Sequence, residues 1–164
     1  MGCTGLQVYR FGEIVSIPFF TEKWRPTSFY DKIKKNRKIG LHTLCLLDIK
    51  VKEPTMESLA RGKPVYMPPR FMKTDCCADQ LLEAVKTEED KKKEEDETYV
   101  LDPSYNEDTP CIGLARISTD TQQIVSGTMK SFLDKDLGEP MHSFIICAEM
   151  HEMEQEMYKY WEQK

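Results

Sequence analysis

The chain has 164 residues, of which 40% are hydrophobic and 31% are charged, with 23 Lys and Arg against 28 Asp and Glu. This length is enough for about one domain with a proper core, and the composition is too apolar for a disordered chain. The net charge of −5 argues against a general nucleic-acid binder. No apolar run approaches the roughly 18 residues of a transmembrane helix.

The hydrophobic pattern predicts strands that alternate with helices. In chain order we expect a strand over 13–20, a helix from Thr27 or Ser28 to Gly40, a strand over 42–49, a helical turn over 55–60, a helix from Thr74 or Asp75, strands over 111–117, 123–129 and 143–148, and a helix over 149–161. The run 42–49 is continuously apolar, which predicts a strand buried on both faces. This alternation is typical of an α/β domain with a mixed sheet.

The charge is unevenly distributed along the chain. Residues 22–38 carry seven basic and two acidic side chains, whereas residues 88–110 carry a net charge of −7. We interpret 88–110 as a solvated helix end that runs into a flexible acidic insertion. The basic side chains of 32–38 either form a solvated helix face or steer an anionic partner.

The cysteines and the N-terminal residues indicate the compartment. The six cysteines form no C-x-x-C pair, and Cys45, Cys111 and Cys147 lie within apolar runs, so we expect reduced structural thiols in a cytoplasmic protein. The first residues lack the pattern of a signal peptide, and Leu6 breaks the myristoylation pattern. The three histidines are far apart, so no metal site is predicted.

Two segments could hold a ligand, although no P-loop, G-x-G-x-x-G or G-x-S-x-G motif is present. Residues 44–48 end a buried strand with the carboxylate of Asp48, and open α/β sheets bind ligands beyond the carboxyl ends of their strands. The alternative is that Asp48 caps the next turn. The turn 136–141 brings His142 to the start of a buried strand, where a histidine can be either structural or functional.

Six blocks in order along the chain are recognisable: G-L-Q-V-Y-R-F-G at 5–12, W-R-P-T-S-F-Y-D-K-I-K-K-N at 24–36, H-T-L-C-L-L-D-I-K-V-K-E at 42–53, P-P-R-F-M at 68–72, G-L-A-R at 113–116 and D-L-G-E-P-M-H-S at 136–143. Together they resemble the eukaryotic type of the diphthine synthase family, also called diphthine methyl ester synthases. The resemblance covers the chain apart from the acidic stretch and about the last dozen residues.

The resemblance implies an S-adenosylmethionine-dependent methyltransferase with a tetrapyrrole-methylase-like (class III) fold, in which two α/β domains hold the cofactor between them. The implied partner is translation elongation factor 2. Its modified histidine would be methylated to diphthine methyl ester in diphthamide biosynthesis, with S-adenosylhomocysteine as the other product. Neither direct nucleic-acid binding nor membrane binding is implied, and homodimers are common among such enzymes.

The resemblance carries cofactor contacts over to three positions: Leu47 ends L-C-L-L, Ile117 follows G-L-A-R, and His142 lies in E-P-M-H-S. We expect Leu47 and Ile117 to contact the adenosyl group through backbone and apolar atoms, and His142 to approach the adenine or ribose edge. No residue is predicted to be catalytic, because methyl transfer from a sulfonium depends mainly on positioning.

The resemblance also predicts the domain organisation. Family members carry a glycine-rich loop, a G-D-P segment and a Ser-Ile pair before the G-L-Q block, and this sequence has none of them. We therefore expect residues 1–10 to be the remnant of the last helix of an N-terminal domain, and residues 11–164 to be the C-terminal domain, inactive alone. Two alternatives stay open: a related methyltransferase acting on a tetrapyrrole or ribosomal RNA, and a non-enzymatic interaction module.

Overall fold

The computed structural model describes residues 2–55, 65–96, 98 and 104–162. The predicted helical turn over 55–60 falls almost wholly outside these residues. The strands are β1 (Val15–Ile17), β2 (Thr43–Leu47), β3 (Ile49–Lys50), β4 (Arg70–Phe71), β5 (Pro110–Ala115), β6 (Gln123–Thr128) and β7 (His142–Ile146). The α-helices are α1 (Ser28–Lys38), α2 (Thr74–Glu95) and α3 (Glu152–Glu162), and short 3-10 helices cover Gly2–Thr4, Val8–Arg10 and Lys130–Leu133.

Five strands form one mixed sheet in the order β1-β2-β7-β5-β6, and β3 and β4 form a separate pair. β1 is parallel to β2, whereas β7 is antiparallel to both β2 and β5. The carboxyl ends of β1, β2 and β5 therefore lie at the same edge of the sheet as the amino end of β7. The predicted α/β fold with a mixed sheet is confirmed.

The sheet is covered on both faces by different elements. One face packs against α1 and α2, in a core that includes Phe29, Ile33 and Leu81. The other face packs against α3 and the N-terminal segment, through side chains that include Leu6 and Trp161. This arrangement leaves the connecting loops at the ends of the strands, where a ligand can reach them.

β2 is not fully buried, contrary to the prediction for 42–49. Cys45 and Leu47 point into the first core, but Leu46 on the opposite face is 47% exposed. On that face Leu44 packs against the second core, which includes Leu6 and Ile145. The strand also ends at Leu47, before Asp48.

The acidic stretch 88–110 is helical at its start, and a later part of it packs against the domain. Residues 88–95 are the last turns of α2, where Glu88 and Lys91 form an ion pair of 2.7 Å across one turn. Tyr105, further along, is buried and donates a hydrogen bond of 3.0 Å to the Leu81 carbonyl. Residues 97 and 99–103 lie outside the described part, and the flexible insertion stays a prediction for them.

The N-terminal segment packs onto the body of the domain. It contains two 3-10 turns in place of an α-helical tail, and Leu6 is buried between the sheet and α3. The indole nitrogen of Trp161 donates to the Thr4 carbonyl at 3.1 Å. These contacts tie residues 2–12 to the same core, while their origin in another domain stays a prediction.

No helix in the described part of the chain is both long and apolar enough to cross a membrane. Within the same residues, no group of three or more His, Cys, Asp or Glu side chains is placed to hold a metal ion. All six cysteines are free thiols, and four of them are buried.

Candidate functional site

The three predicted cofactor residues meet at one edge of the sheet. Leu47 ends β2, and His142 begins β7, one position beyond the registered pair Leu46 and Ser143. Ala115, the last residue of β5, pairs with His142 on its other side, and Ile117 follows two positions later. Because β7 lies between β2 and β5, Leu47 lies at the same edge as His142 although the two are 95 positions apart in sequence.

The three side chains differ in exposure. Leu47 is 8% exposed and His142 is 6% exposed, whereas Ile117 is 37% exposed. Ile117 therefore presents apolar surface at the edge, and His142 presents polar atoms from a buried position. Such a combination of apolar surface and a few oriented polar groups is typical of small-molecule sites.

The hydrogen bonds of His142 define what its ring can bind. Nε2 lies 3.0 Å from the carbonyl oxygen of Glu139, which can only accept, so Nε2 carries the proton. Burial lowers the pKa of His142, and the positive charges of Lys73 and Arg116 act in the same direction. The ring is therefore neutral at pH 7, and Nδ1 is left as an acceptor.

Nδ1 of His142 has no hydrogen-bond partner. Among the described residues, the buried side-chain nitrogen and oxygen atoms that lack one are Nδ1 of His142, Oγ1 of Thr74 and Oγ of Ser104. A buried unpaired acceptor costs about 1–3 kcal/mol, so such an atom needs an explanation. A bound group that donates an N–H or O–H would give Nδ1 the hydrogen-bond partner that it lacks.

The loop before β7 is held from two sides. Asp136 accepts a hydrogen bond of 2.9 Å from the backbone N–H of Gly138 and forms an ion pair of 3.1 Å with Lys73, next to the start of α2. Gly138 has φ +76°, a conformation that favours glycine. From the other side, the Arg116 guanidinium donates to the carbonyl oxygens of Leu137 and Glu139.

Asp48 has a structural partner at this edge. Its Oδ2 accepts a hydrogen bond of 3.0 Å from the backbone N–H of Phe19, and its own carbonyl accepts one of 3.0 Å from Met72. The carboxylate thus joins the chain after β1 to the end of β2, instead of capping the next turn. A groove of about 280 Å³ lies beside it, lined by 16–18 and 46–49.

Neither Ile117 nor His142 lines that groove. A larger cavity of about 450 Å³ lies at the outer edge of β6, between Gln123, Val125 and Trp161, and contains none of the three predicted residues. Leu47 lines the groove but Ile117 and His142 line neither cavity, so neither of these two cavities brings the three residues together.

Sequence reasoning missed Arg116, Asp136 and Lys73 as parts of this edge. Arg116 and Asp136 fall inside the recognisable blocks G-L-A-R and D-L-G-E-P-M-H-S, which is the signal that could have found them. Lys73 is one residue beyond P-P-R-F-M, and no local pattern indicates that it reaches Asp136.

Comparison with curated proteins identifies the relatives of the chain. It is 52% identical over 165 residues to a diphthine methyl ester synthase of Arabidopsis thaliana, and 51% identical over 158 residues to that of Homo sapiens. These alignments cover 100% and 96% of this chain but 55% and 53% of the relatives. The chain thus spans about half the length of the curated relatives it matches. No family model matches the chain.

Solved structures show the same fold. A protein from Entamoeba histolytica described as a diphthine synthase is 42% identical, with a TM-score of 0.75 over 98% of this chain and 54% of its own. A second diphthine synthase structure is 22% identical, with a TM-score of 0.67 over 99% of this chain and 49% of its own, and supports the fold alone.

The fold is therefore that of the tetrapyrrole-methylase-like class, to which the diphthine synthase structures belong. Within this class, the chain is about 50% identical over nearly its whole length to diphthine methyl ester synthases. The chain is a homologue of the diphthine methyl ester synthases, and the predicted resemblance to that family is confirmed.

Proposed function

We propose that the chain is the C-terminal part of an S-adenosylmethionine-dependent methyltransferase of diphthamide biosynthesis. Its substrate is the modified histidine of translation elongation factor 2, which it methylates to diphthine methyl ester. The homologues bearing that name support the activity. The observation that carries the site is the convergence of Leu47, Ile117 and His142 on one edge of the sheet.

The residues at this edge fit an adenosyl group. The adenosyl group carries an amino group and hydroxyl groups, and each can donate a hydrogen bond to a neutral imidazole nitrogen. Nδ1 of His142 is a buried acceptor without a partner, and Ile117 offers apolar surface at the same edge of the sheet. Leu47 adds a second apolar contact from the end of β2.

S-adenosylmethionine supplies, when bound, an electrophilic methyl group on a sulfonium. The residues of this chain contribute binding and orientation. His142 orients the bound group through Nδ1, and Leu47 and Ile117 exclude water from one side of it. None of the three needs to take up a proton, since a neutral His142 acts as an acceptor only.

The remainder of the pocket belongs, in this proposal, to the half of the protein that the relatives have and this chain lacks. Residues 11–164 are then the C-terminal domain and residues 1–10 the end of the connection to it. S-adenosylhomocysteine leaves as product, elongation factor 2 is the protein partner, and a homodimer is compatible with the family.

Transfer of labelled methyl groups tests the proposed function. The full-length protein should label elongation factor 2 isolated from cells that lack this methyltransferase, whereas the chain alone should give less than about a tenth of that rate, because half of the pocket is missing. Factor in which the modified histidine is replaced is the control. Labelling that persists on the replaced factor, or no labelling of the authentic factor, would contradict the proposal.

A further inference from the structure

Arg116 connects the turn after β5 to the loop before β7. Its Nε donates to the backbone carbonyl of Thr121 at 3.0 Å and to the hydroxyl of the same residue at 3.1 Å. Its Nη1 donates to the carbonyl of Leu137 at 2.8 Å and also to that of Glu139. A guanidinium is a rigid planar fork, so these four bonds fix the two segments relative to each other.

The backbone of Arg116 indicates that its side chain is needed at this position. Arg116 has φ +50°, in the left-handed region that favours glycine or asparagine. The Thr119 hydroxyl donates to the Arg116 carbonyl at 2.8 Å and holds this conformation. Any residue with a Cβ atom has a conformational cost in this region, which the four guanidinium bonds offset.

The Glu139 carbonyl links Arg116 to His142. This oxygen accepts from Nη1 of Arg116 and also from Nε2 of His142, which lies 3.0 Å away. As long as the carbonyl stays in place, the proton of the neutral ring belongs on Nε2. If the carbonyl moved away, the ring would be free to carry its proton on Nδ1 and could no longer accept there.

We propose that Arg116 is a positioning residue that holds the Glu139 carbonyl and thereby keeps His142 in the tautomer whose Nδ1 accepts a hydrogen bond from a bound ligand. Only the identity of the donor, an amino or hydroxyl group of the cofactor, rests on the proposed function. The positioning itself depends on the contacts within this chain. Arg116 acts through the histidine and does not touch the reacting atoms.

The tautomer can be measured without any activity assay. Long-range proton–nitrogen correlation spectra of the ¹⁵N-labelled chain distinguish a protonated from an unprotonated ring nitrogen. Wild-type His142 should carry its proton on Nε2. In Arg116→Met the Nδ1 signal should move toward that of a protonated nitrogen, because the Glu139 carbonyl is no longer held.

Two controls isolate the effect. Thr121→Val removes the hydroxyl contact of Nε but keeps the bonds to Leu137 and Glu139, so the His142 tautomer should not change. His42 is the internal reference, because the Ala148 N–H donates to its Nδ1 at 3.0 Å independently of Arg116. Loss of the His42 signals would show unfolding, and the measurement is then made on Arg116→Lys, which keeps the charge without the fork.

The outcomes separate the two proposals. A His142 ring that stays fully protonated at Nε2 in a folded Arg116 variant overturns the positioning role. When S-adenosylmethionine is added to the full-length protein, the Nδ1 signal should shift. If it stays unchanged while the tautomer still depends on Arg116, the cofactor site is wrong and the positioning role stands.

Discussion

Glu154 is a buried carboxylate that joins distant parts of the chain. Its Oε1 accepts from the Gln7 N–H at 2.8 Å and lies 3.2 Å from Nε2 of His42, while Oε2 accepts from Arg10 and from the His151 N–H at 2.9 and 2.8 Å. Burial alone would raise the pKa of Glu154, but the hydrogen bonds from Gln7, His151 and His42 outweigh it and lower the pKa. The ionised form is therefore the one that the fold stabilises.

Glu154→Gln should destabilise the domain by about 3 kcal/mol, because a buried ion pair that loses one partner leaves the other charge uncompensated. The NH₂ group of the glutamine would also face N–H groups that now donate to the carboxylate, and it cannot accept from them. Urea unfolding of the chain measures the loss. Glu152→Gln is the matched control, since Glu152 is an exposed glutamate on the same helix. Equal stability of the two variants would contradict the role given to Glu154.

β5 is the element on which the candidate site depends, because it carries the G-L-A-R block into the turn at Arg116. Gly113 in its centre allows close packing on the first core. A Cβ there would lie 2.6 Å from Cε1 of Phe132 and 3.1 Å from Cδ2 of Leu137. The Phe132 and Leu137 side chains thus occupy the space that a larger residue at position 113 would need. Leu137 also belongs to the loop that ends at His142.

Gly113→Ala should reduce the free energy of unfolding by about 1–3 kcal/mol, because overpacking a filled core forces side chains or backbone to shift. The chemical denaturation midpoint reports the change. Gly2→Ala serves as the comparison, since no atom lies within 4 Å of a Cβ at that position. A Gly113→Ala variant as stable as Gly2→Ala would show that the strand can move away from Phe132.

The hydrophobic pattern located β2, β5, β6 and β7 within a few residues, because apolar runs between polar boundaries are local signals. The order of the strands is not local. The pairing of β7 with β2 joins residues more than 90 positions apart and brings Leu47 to the level of His142. The pairing of β7 with β5 brings Ile117 to the same edge. The contacts of Arg116 with Leu137 and Glu139 join residues 21 and 23 positions apart with β6 between them, so no local pattern predicted its role.

At the scale of the whole molecule, the two ends of the chain close onto each other. Thr4 accepts from Trp161, and Arg10 and Glu154 form an ion pair of 2.9 Å. The same domain leaves Ile117 and Leu46 partly exposed at and beside the strand ends. The N-terminal segment and the last helix are thus packed together, whereas the strand ends around the candidate site are open.

The central claim is that the sheet edge around His142 binds S-adenosylmethionine. Calorimetric titration of the longer protein to which we propose the chain belongs tests it most directly, with His142→Ala as the variant and His151→Ala, at an exposed position, as the control. The dissociation constant should rise about tenfold in His142→Ala, since one hydrogen bond is worth about 1.4 kcal/mol, and should stay unchanged in His151→Ala. An unchanged dissociation constant in His142→Ala would contradict the claim.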